Sequence, residues 1–258
     1  MSAVDFLGLL VPVTYLVMLA IEAIFPARPQ PPVRGWVWLG LLFLILNGLV
    51  STLTPLLIPA EWLARHRLLN LSGLGVIGGT MAGYLVLSFV SFCWHRTAHY
   101  NPLMWRMFHQ IHHSPTRVDM SGAMFFHPLE MIAFTLMGLV TTTLILGLDP
   151  LAAALTGYVA AFYGMFQHLN VRTPQWLGYL IQRPEAHAAH HERGVHARNY
   201  ADLPIWDMIF GSFHNPKVFE GLAGFDPPAD RKLWSMLAFD DVNRPAGAPL
   251  GRDAQPAP

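Results

Sequence analysis

Charge is scarce in this chain of 258 residues: only 12% are Asp, Glu, Lys or Arg, against 53% hydrophobic, whereas an ordinary soluble domain carries roughly 25% charged residues. That scarcity argues against a fully solvated surface and gives a membrane-protein composition. Lys and Arg number 16, as do Asp and Glu, so the concentrated basic face that nucleic acid demands is missing and no nucleic-acid partner is expected. Cysteine is almost absent. The single residue, Cys93, ends an apolar run, which excludes a disulfide framework and a thiolate zinc site and leaves nitrogen and oxygen as donors for any metal. No Lys or Arg precedes the first apolar run, and no small-residue cleavage pattern follows it at Phe25-Pro26. That run therefore reads as a retained membrane helix rather than a cleaved signal.

What is present is a series of long apolar runs. Val4 to Phe25 has the roughly 20 residues needed to cross a bilayer, with Glu22 expected at the interface or facing protein, and four prolines between Pro26 and Pro32 end it. Trp36 to Pro59 is a second span, opened by the interfacial pair Trp36 and Trp38, in which Asn47 should hydrogen-bond to a neighbouring helix. Leu71 to Cys93 is a third, and its Gly73, Gly75, Gly78, Gly79, Ala82 and Gly83 suit close helix packing. Leu129 to Leu148 and Leu151 to Leu169, joined by Asp149-Pro150, read as a helical hairpin near the minimum spanning length, with Pro128 in a first helical turn. No span follows Arg172, and the stretch from Pro227 onward is rich in Pro, Ala and Asp and reads as loosely ordered. The expected fold is an all-α integral membrane protein of about three spans plus a helical hairpin, with a cytosolic histidine-rich helical cap. The expected divisions are a transmembrane region 1–93, a histidine-box region 94–216 that includes the hairpin 127–169, and a tail 217–258.

Histidine is the abundant special residue, with 13 copies. Eight fall in three boxes: His95 and His99; His109, His112 and His113; His187, His190 and His191. On an α-helix, residues three or four apart lie on one side of the axis, so each box is expected to present one face. Asn101-Pro102 separates the first two boxes, Ser114-Pro115 stops the second, and Pro184-Glu185 opens a short helix for the third with Gly194 suited to its C-terminal cap. If the N-terminus lies outside, the parity of the spans brings all three boxes to one compartment. Arg28, Arg34, Arg96, Arg106, Arg117, Arg172, Arg183, Arg193 and Arg198 fall on that side, as expected of the cytoplasm; Arg65 and Arg67 are a minor exception.

Neutral imidazoles bind zinc, iron, copper or nickel. Three or four converging imidazoles hold one ion, so eight suggest two metals between helices. A zinc protease would need His-Glu-x-x-His on one helical face, and His191 to His196 is one residue too long for it. The Glu-x-x-His pairs of carboxylate di-iron bundles are also missing. Beyond the boxes, His127 at a helix start is a ligand, a supporting residue or a cap. His196 and His214 read as surface or supporting residues, and His66 as interfacial. Asn170 and Asp207 are candidates for hydrogen bonds that orient ligand imidazoles.

From about Tyr84 to Pro216 the pattern resembles the fatty acid hydroxylase superfamily, which includes sterol desaturases, sterol methyl oxidases and alkylglycerol monooxygenase. Trp94-His95-Arg96-Thr97-Ala98-His99 is similar to its first box, and Trp105 through Ser114 to its second. Phe126-His127-Pro128-Leu129-Glu130 and Gln167-His168-Leu169-Asn170 resemble its intermediate elements. Arg183 through His191, followed by Asn199-Tyr200 and by Trp206 through Gly211, resembles its third box and closing motif. The chain departs from the family at Phe125-Phe126, where Arg often precedes His-Pro, and at Ala201, where Gly often follows Asn-Tyr.

The resemblance implies a membrane di-iron oxygenase that uses O2 and two electrons to hydroxylate or desaturate a lipid C–H bond. It implies His95, His99, His109, His112, His113, His187, His190 and His191 as iron ligands, with His168 the ninth. The implied cofactor is Fe, two ions per chain. No haem or flavin motif is present, so a separate electron donor, cytochrome b5-like or ferredoxin-like, is expected. Alternative readings are a carotenoid hydroxylase and, in another class, a membrane metal-binding or transport protein.

Overall fold

The computed structural model describes residues 3–243. Its framework is a set of long apolar helices: α1 (Ala3–Ile24), α2 (Trp36–Leu53), the short α3 (Ala60–Arg65), and α4 (Gly75–Tyr100). After the short α5 (Pro102–Met104), a π-helical turn (Trp105–His109) and α6 (Gln110–His113), the chain re-enters the bundle as α7 (Pro128–Leu139), continued by a π-helical segment (Val140–Ile145), and returns as α8 (Pro150–Phe166). Three short helices follow: α9 (Pro184–His190), α10 (Pro204–Ile209) and α11 (Leu233–Leu237). Among the described residues there is no strand, only an isolated bridge between Glu192 and Ala223. The protein is an all-α membrane protein.

Four helical segments are long and apolar enough to cross a membrane: Phe6–Ile24, Trp36–Leu57, Ser72–Tyr100 and Pro128–Ile145; Pro150–Phe166 is a shorter apolar helix. Their outward faces carry exposed large hydrophobics, among them Leu9, Leu16, Ile45, Leu49, Ile77 and Met81, the pattern of helices solvated by lipid rather than water. The third span continues beyond its apolar run. From Gly75 it runs past Cys93 directly into His95, as one helix that carries both histidines of the first box on to Tyr100. At 1.5 Å per residue its 26 residues reach about 39 Å, beyond the roughly 30 Å of a hydrocarbon core, so its last turns stand clear of the lipid.

The expected hairpin is present, joined by a short turn between Ile145 and Pro150. Its arms separate, α7 packing on α2 and α8 between α1 and α4. The turn between them is held by Asp149, whose carboxylate accepts from the N–H groups of Leu151 and Ala152, and by Gly147 at φ +57°. Backbone N–H groups of Leu68, Leu69 and Leu71 donate to the carbonyls of Leu144, Ile145 and Leu146, which closes that end of the bundle. The glycines in and just before α4 contribute unequally. A Cβ at Gly79 would meet Ala152 at 2.8 Å and one at Gly83 would meet Thr156 at 2.5 Å, whereas Gly73 and Gly75 face open space.

At the other end, helix termini converge. The Glu22 carboxylate at the end of α1 accepts from the N–H groups of Met120 and Asn170, both at 2.8 Å, so it faces protein as expected. Trp36, opening α2, donates to Asp119 at 2.8 Å. Asn47, by contrast, finds no partner for its buried amide nitrogen. The chain after Pro227 is more ordered than its composition suggests. Met236 of α11 is fully buried beside Ile111 and Phe225, and Gln110 donates to the Asp240 carbonyl at 2.8 Å. Residues 244–258 of the expected tail lie outside the described residues.

Candidate metal centre

The three boxes meet at the converging helix ends and sort their histidines in a way that spacing alone does not give. His95, His99, His109, His113 and His190 form one group, and His112, His168, His187 and His191 a second; within each, one ring nitrogen per residue lies within 4.8 Å of all the others. The pairs four apart stay together: His95 with His99, His109 with His113, His187 with His191. The residue three along goes to the other group. The second and third boxes therefore each serve both groups, rather than one face each as expected. The π-helical turn at Trp105–His109, a local widening common at functional sites, leads directly into the second box. The third box sits on α9, which ends at His190, with His191 as its cap and Gly194 three residues further on. Arg183 fixes the start of α9. Fully buried, it pairs with Glu185 at 3.0 Å and donates to Asn215 at 2.7 Å.

Donor spacing suits metal ions. Nε2 of His113 lies 3.1 Å from Nε2 of both His109 and His190. In the second group the Nε2 separations are 3.2 Å for His112 and His168, 3.1 Å for His168 and His187, and 3.0 Å for His187 and His191. Imidazole nitrogens bound to one ion at roughly 2.0–2.1 Å stand roughly 3.0–3.4 Å apart. The Nε2 atoms of His95 and His99 are buried and have no hydrogen-bond partner. Such orphaned ring nitrogens cost free energy unless something binds them. The His113 and His191 rings, one from each group, stack at 4.1 Å, so the groups share a wall.

The opposite ring nitrogens fix the tautomers. Nδ1–H of His95 donates to the Tyr200 carbonyl at 2.7 Å, that of His190 to the Arg198 carbonyl at 2.6 Å, and that of His168 to the Gly164 carbonyl at 2.8 Å. Nδ1–H of His109 donates to the Glu130 carboxylate at 2.7 Å. Each leaves an Nε2 lone pair aimed inward, the arrangement by which outer partners orient metal-binding imidazoles. Burial, then repulsion among neighbouring imidazoles, holds His109, His112, His113, His187, His190 and His191 well below the ordinary imidazole value. Burial pushes His168 down to about 4. Neutral rings are the ligand form.

The remaining candidates divide. His127 joins neither group; it caps α7, its Nδ1 accepting from the Leu129 N–H at 3.1 Å. Among the described residues Asn170 makes no hydrogen bond to an imidazole and donates to the Arg28 carbonyl at 2.7 Å. Asp207 acts one step away: it accepts from the N–H groups of Tyr200 and Ala201, both at 2.9 Å, and so steadies the carbonyl that receives His95. His196 lies with its Nδ1 3.2 Å from that of His113, a direct support. Glu130, which closes the Phe126–Glu130 motif of the sequence, is the residue whose role spacing alone does not give. It is 0% exposed, and a lone carboxylate opening an otherwise apolar helix was the available signal.

Comparison with known proteins agrees with this geometry. A stretch of 140 residues, 52% of the chain, is 35% identical to the ornithine lipid hydroxylase OlsE of Rhizobium tropici, covering 41% of that protein. The sphingolipid C4-hydroxylase sur2 of Schizosaccharomyces pombe is 23% identical over 138 residues, 52% of this chain and 47% of its own. A very-long-chain aldehyde decarbonylase of Oryza sativa subsp. indica is 29% identical over 145 residues, 52% of this chain and 54% of its own. The chain thus spans about half the length of the curated relatives it matches. No solved structure matches it. Residues 80–212, which hold every member of both histidine groups, match the fatty acid hydroxylase family, and the chain belongs to that family.

Proposed function

We propose that this protein is a membrane di-iron oxygenase that uses O2 and two electrons to hydroxylate, or desaturate, a C–H bond of a lipid, with an acyl chain or sterol-like molecule as substrate. The observation that carries this reading is the gathering of nine imidazoles, in two adjoining groups, at one end of an apolar helix bundle. The hydroxylation of ornithine lipids and sphingolipids named for the relatives supports a lipid substrate. His95, His99, His109, His113 and His190 would hold one ion, and His112, His168, His187 and His191 the other. When bound, two iron ions supply the activation of O2 and the oxidation of the C–H bond.

The chain's own work is positioning and exclusion. Glu130 and the carbonyls of Tyr200, Arg198 and Gly164 hold Nδ1 protons and keep Nε2 of His109, His95, His190 and His168 free. The buried setting keeps water from the reacting carbon. A cleft of about 290 Å³ between α4 and α7, lined by Val90, Trp94, Leu136, Met137, Val140 and Ile145, offers an apolar chain a lateral route to Trp94, the neighbour of His95. The Arg-rich end of the bundle faces the cytoplasm, where a separate cytochrome b5-like or ferredoxin-like donor delivers electrons. The test is lipid mass spectrometry on cells grown under 18O2 with wild type or His190→Ala. A lipid carrying one 18O in wild type alone is expected; identical lipid profiles, with wild-type protein fully metallated, would overturn the proposal.

A further inference from the structure

Outside the metal centre, a cavity of about 330 Å³ opens at the same end of the bundle. Three of its lining residues are cations, Arg28, Arg172 and Lys217, and one is an acid, Glu185. The acid is already satisfied: its carboxylate accepts from the Thr173 N–H at 2.8 Å and the Thr173 hydroxyl at 2.7 Å, and it pairs with Arg183 at 3.0 Å. The cations are not. Among the described residues, Arg172 and Lys217, both exposed at the rim, have no side-chain hydrogen bond or ion pair, and the half-buried Arg28 has only a 3.5 Å bond to the Gly221 carbonyl and a place over the Phe219 ring, 4.6 Å from its centre. A guanidinium with five donors held in a partly apolar cavity with so little to bond calls for an oxyanion.

The surroundings indicate what carries that anion. Val118, Leu169 and Phe219 also line the cavity. Arg28 follows directly on the membrane end of α1, where Val17, Ile21, Ile24 and Phe25 are exposed. A lipid lying along that face brings its headgroup to Arg28. We propose that the cavity bounded by Arg28, Arg172 and Lys217 binds the anionic headgroup of a membrane lipid through its phosphate or carboxylate. The site lies behind the second histidine group, since Leu169 and Ala188 on its wall neighbour His168 and His187. It depends on the membrane setting and not on the oxygenase chemistry.

Native mass spectrometry of the detergent-purified, metal-loaded protein tests the proposal, with titrations of phosphatidylglycerol, phosphatidylcholine and inorganic phosphate in turn. Wild type is expected to take up one phosphatidylglycerol in preference to phosphatidylcholine. Loss of charge-assisted bonds in R172Q/K217Q should weaken that step by about tenfold or more, with metal content unchanged. The same loss of two charges at the exposed Arg231 and Lys232, in R231Q/K232Q, should leave it as in wild type. Should R172Q/K217Q fail to fold, Arg172→Gln alone carries the comparison. Equal uptake of the two lipids by wild type, or equal phosphatidylglycerol uptake by wild type and R172Q/K217Q, would overturn the proposal. Saturable binding of inorganic phosphate without any of phosphatidylglycerol would overturn the headgroup assignment and leave a free-anion site.

Discussion

At His109 an imidazole and a fully buried carboxylate meet at 2.7 Å, and this contact sets what one residue can do to a metal. A carboxylate receiving the Nδ1 proton raises the basicity of Nε2 and locks the ring, and losing such a partner typically costs 10–100-fold in metal affinity. Glu130→Gln is therefore expected to weaken the ion of the five-histidine group by about that factor while the four-histidine group keeps its own. Competition with a chelator, followed by elemental analysis, reads the difference. Equal metal retention in wild type and Glu130→Gln would contradict the role. Residue types and spacing made eight of the ligand candidates legible, because histidine at i, i+3 and i+4 is rare without a site. They could not divide the ligands between two groups, since that depends on how α6 and α9 cross. The partners of Nδ1 were equally hidden, most of them being backbone carbonyls, which every residue possesses.

Among the elements, α2 illustrates how a helix is placed by what it lacks. A Cβ at Gly40 would lie 2.5 Å from the Ser121 carbonyl oxygen and 2.7 Å from the Tyr15 hydroxyl, so only glycine lets α2 approach α1 and the segment after the second box. Gly40→Ala should destabilise the protein by about 1–3 kcal/mol, the cost of overpacking. Gly48→Ala, on the same helix but facing open space, should be neutral or stabilising by up to about 1 kcal/mol through helix propensity. Thermal unfolding in detergent compares them, and equal midpoints would contradict the packing argument. The apolar runs of the sequence located the helices well, because about 20 apolar residues have few other uses. Helix ends and neighbours were less legible. The histidines of the first box look polar yet continue α4, and the two arms of the hairpin pack mainly on α1, α2 and α4, which no pattern within the arms announces.

For the whole molecule, the concentration of neutral imidazoles ties stability to pH. In the unfolded chain they take up protons near 6.5, whereas in the folded chain His168 does so only at about 4 and the others also stay well below their ordinary value. Between those values the unfolded state binds more protons, so stability falls as pH falls from about 6.5 towards 4. Unfolding midpoints of the metal-free protein across that range should decline together, and a flat profile would contradict the buried, neutral state of these rings. Composition indicated a membrane protein, and parity brought the boxes to one side; the structure gathers the nine histidines into two groups. The ordered segment of α11 that closes over Ile111 could not be read from a stretch rich in Pro, Ala and Asp.

The central claim, two metal ions held only by the histidine groups, is open to direct count. Elemental analysis of wild type, His113→Ala and His187→Ala, purified from iron-replete cells, should give two irons per chain in wild type. Each variant should lose the ion of its own group, with helix content by circular dichroism retained. Stoichiometric zinc in wild type, or full iron occupancy in both folded variants, would contradict the claim.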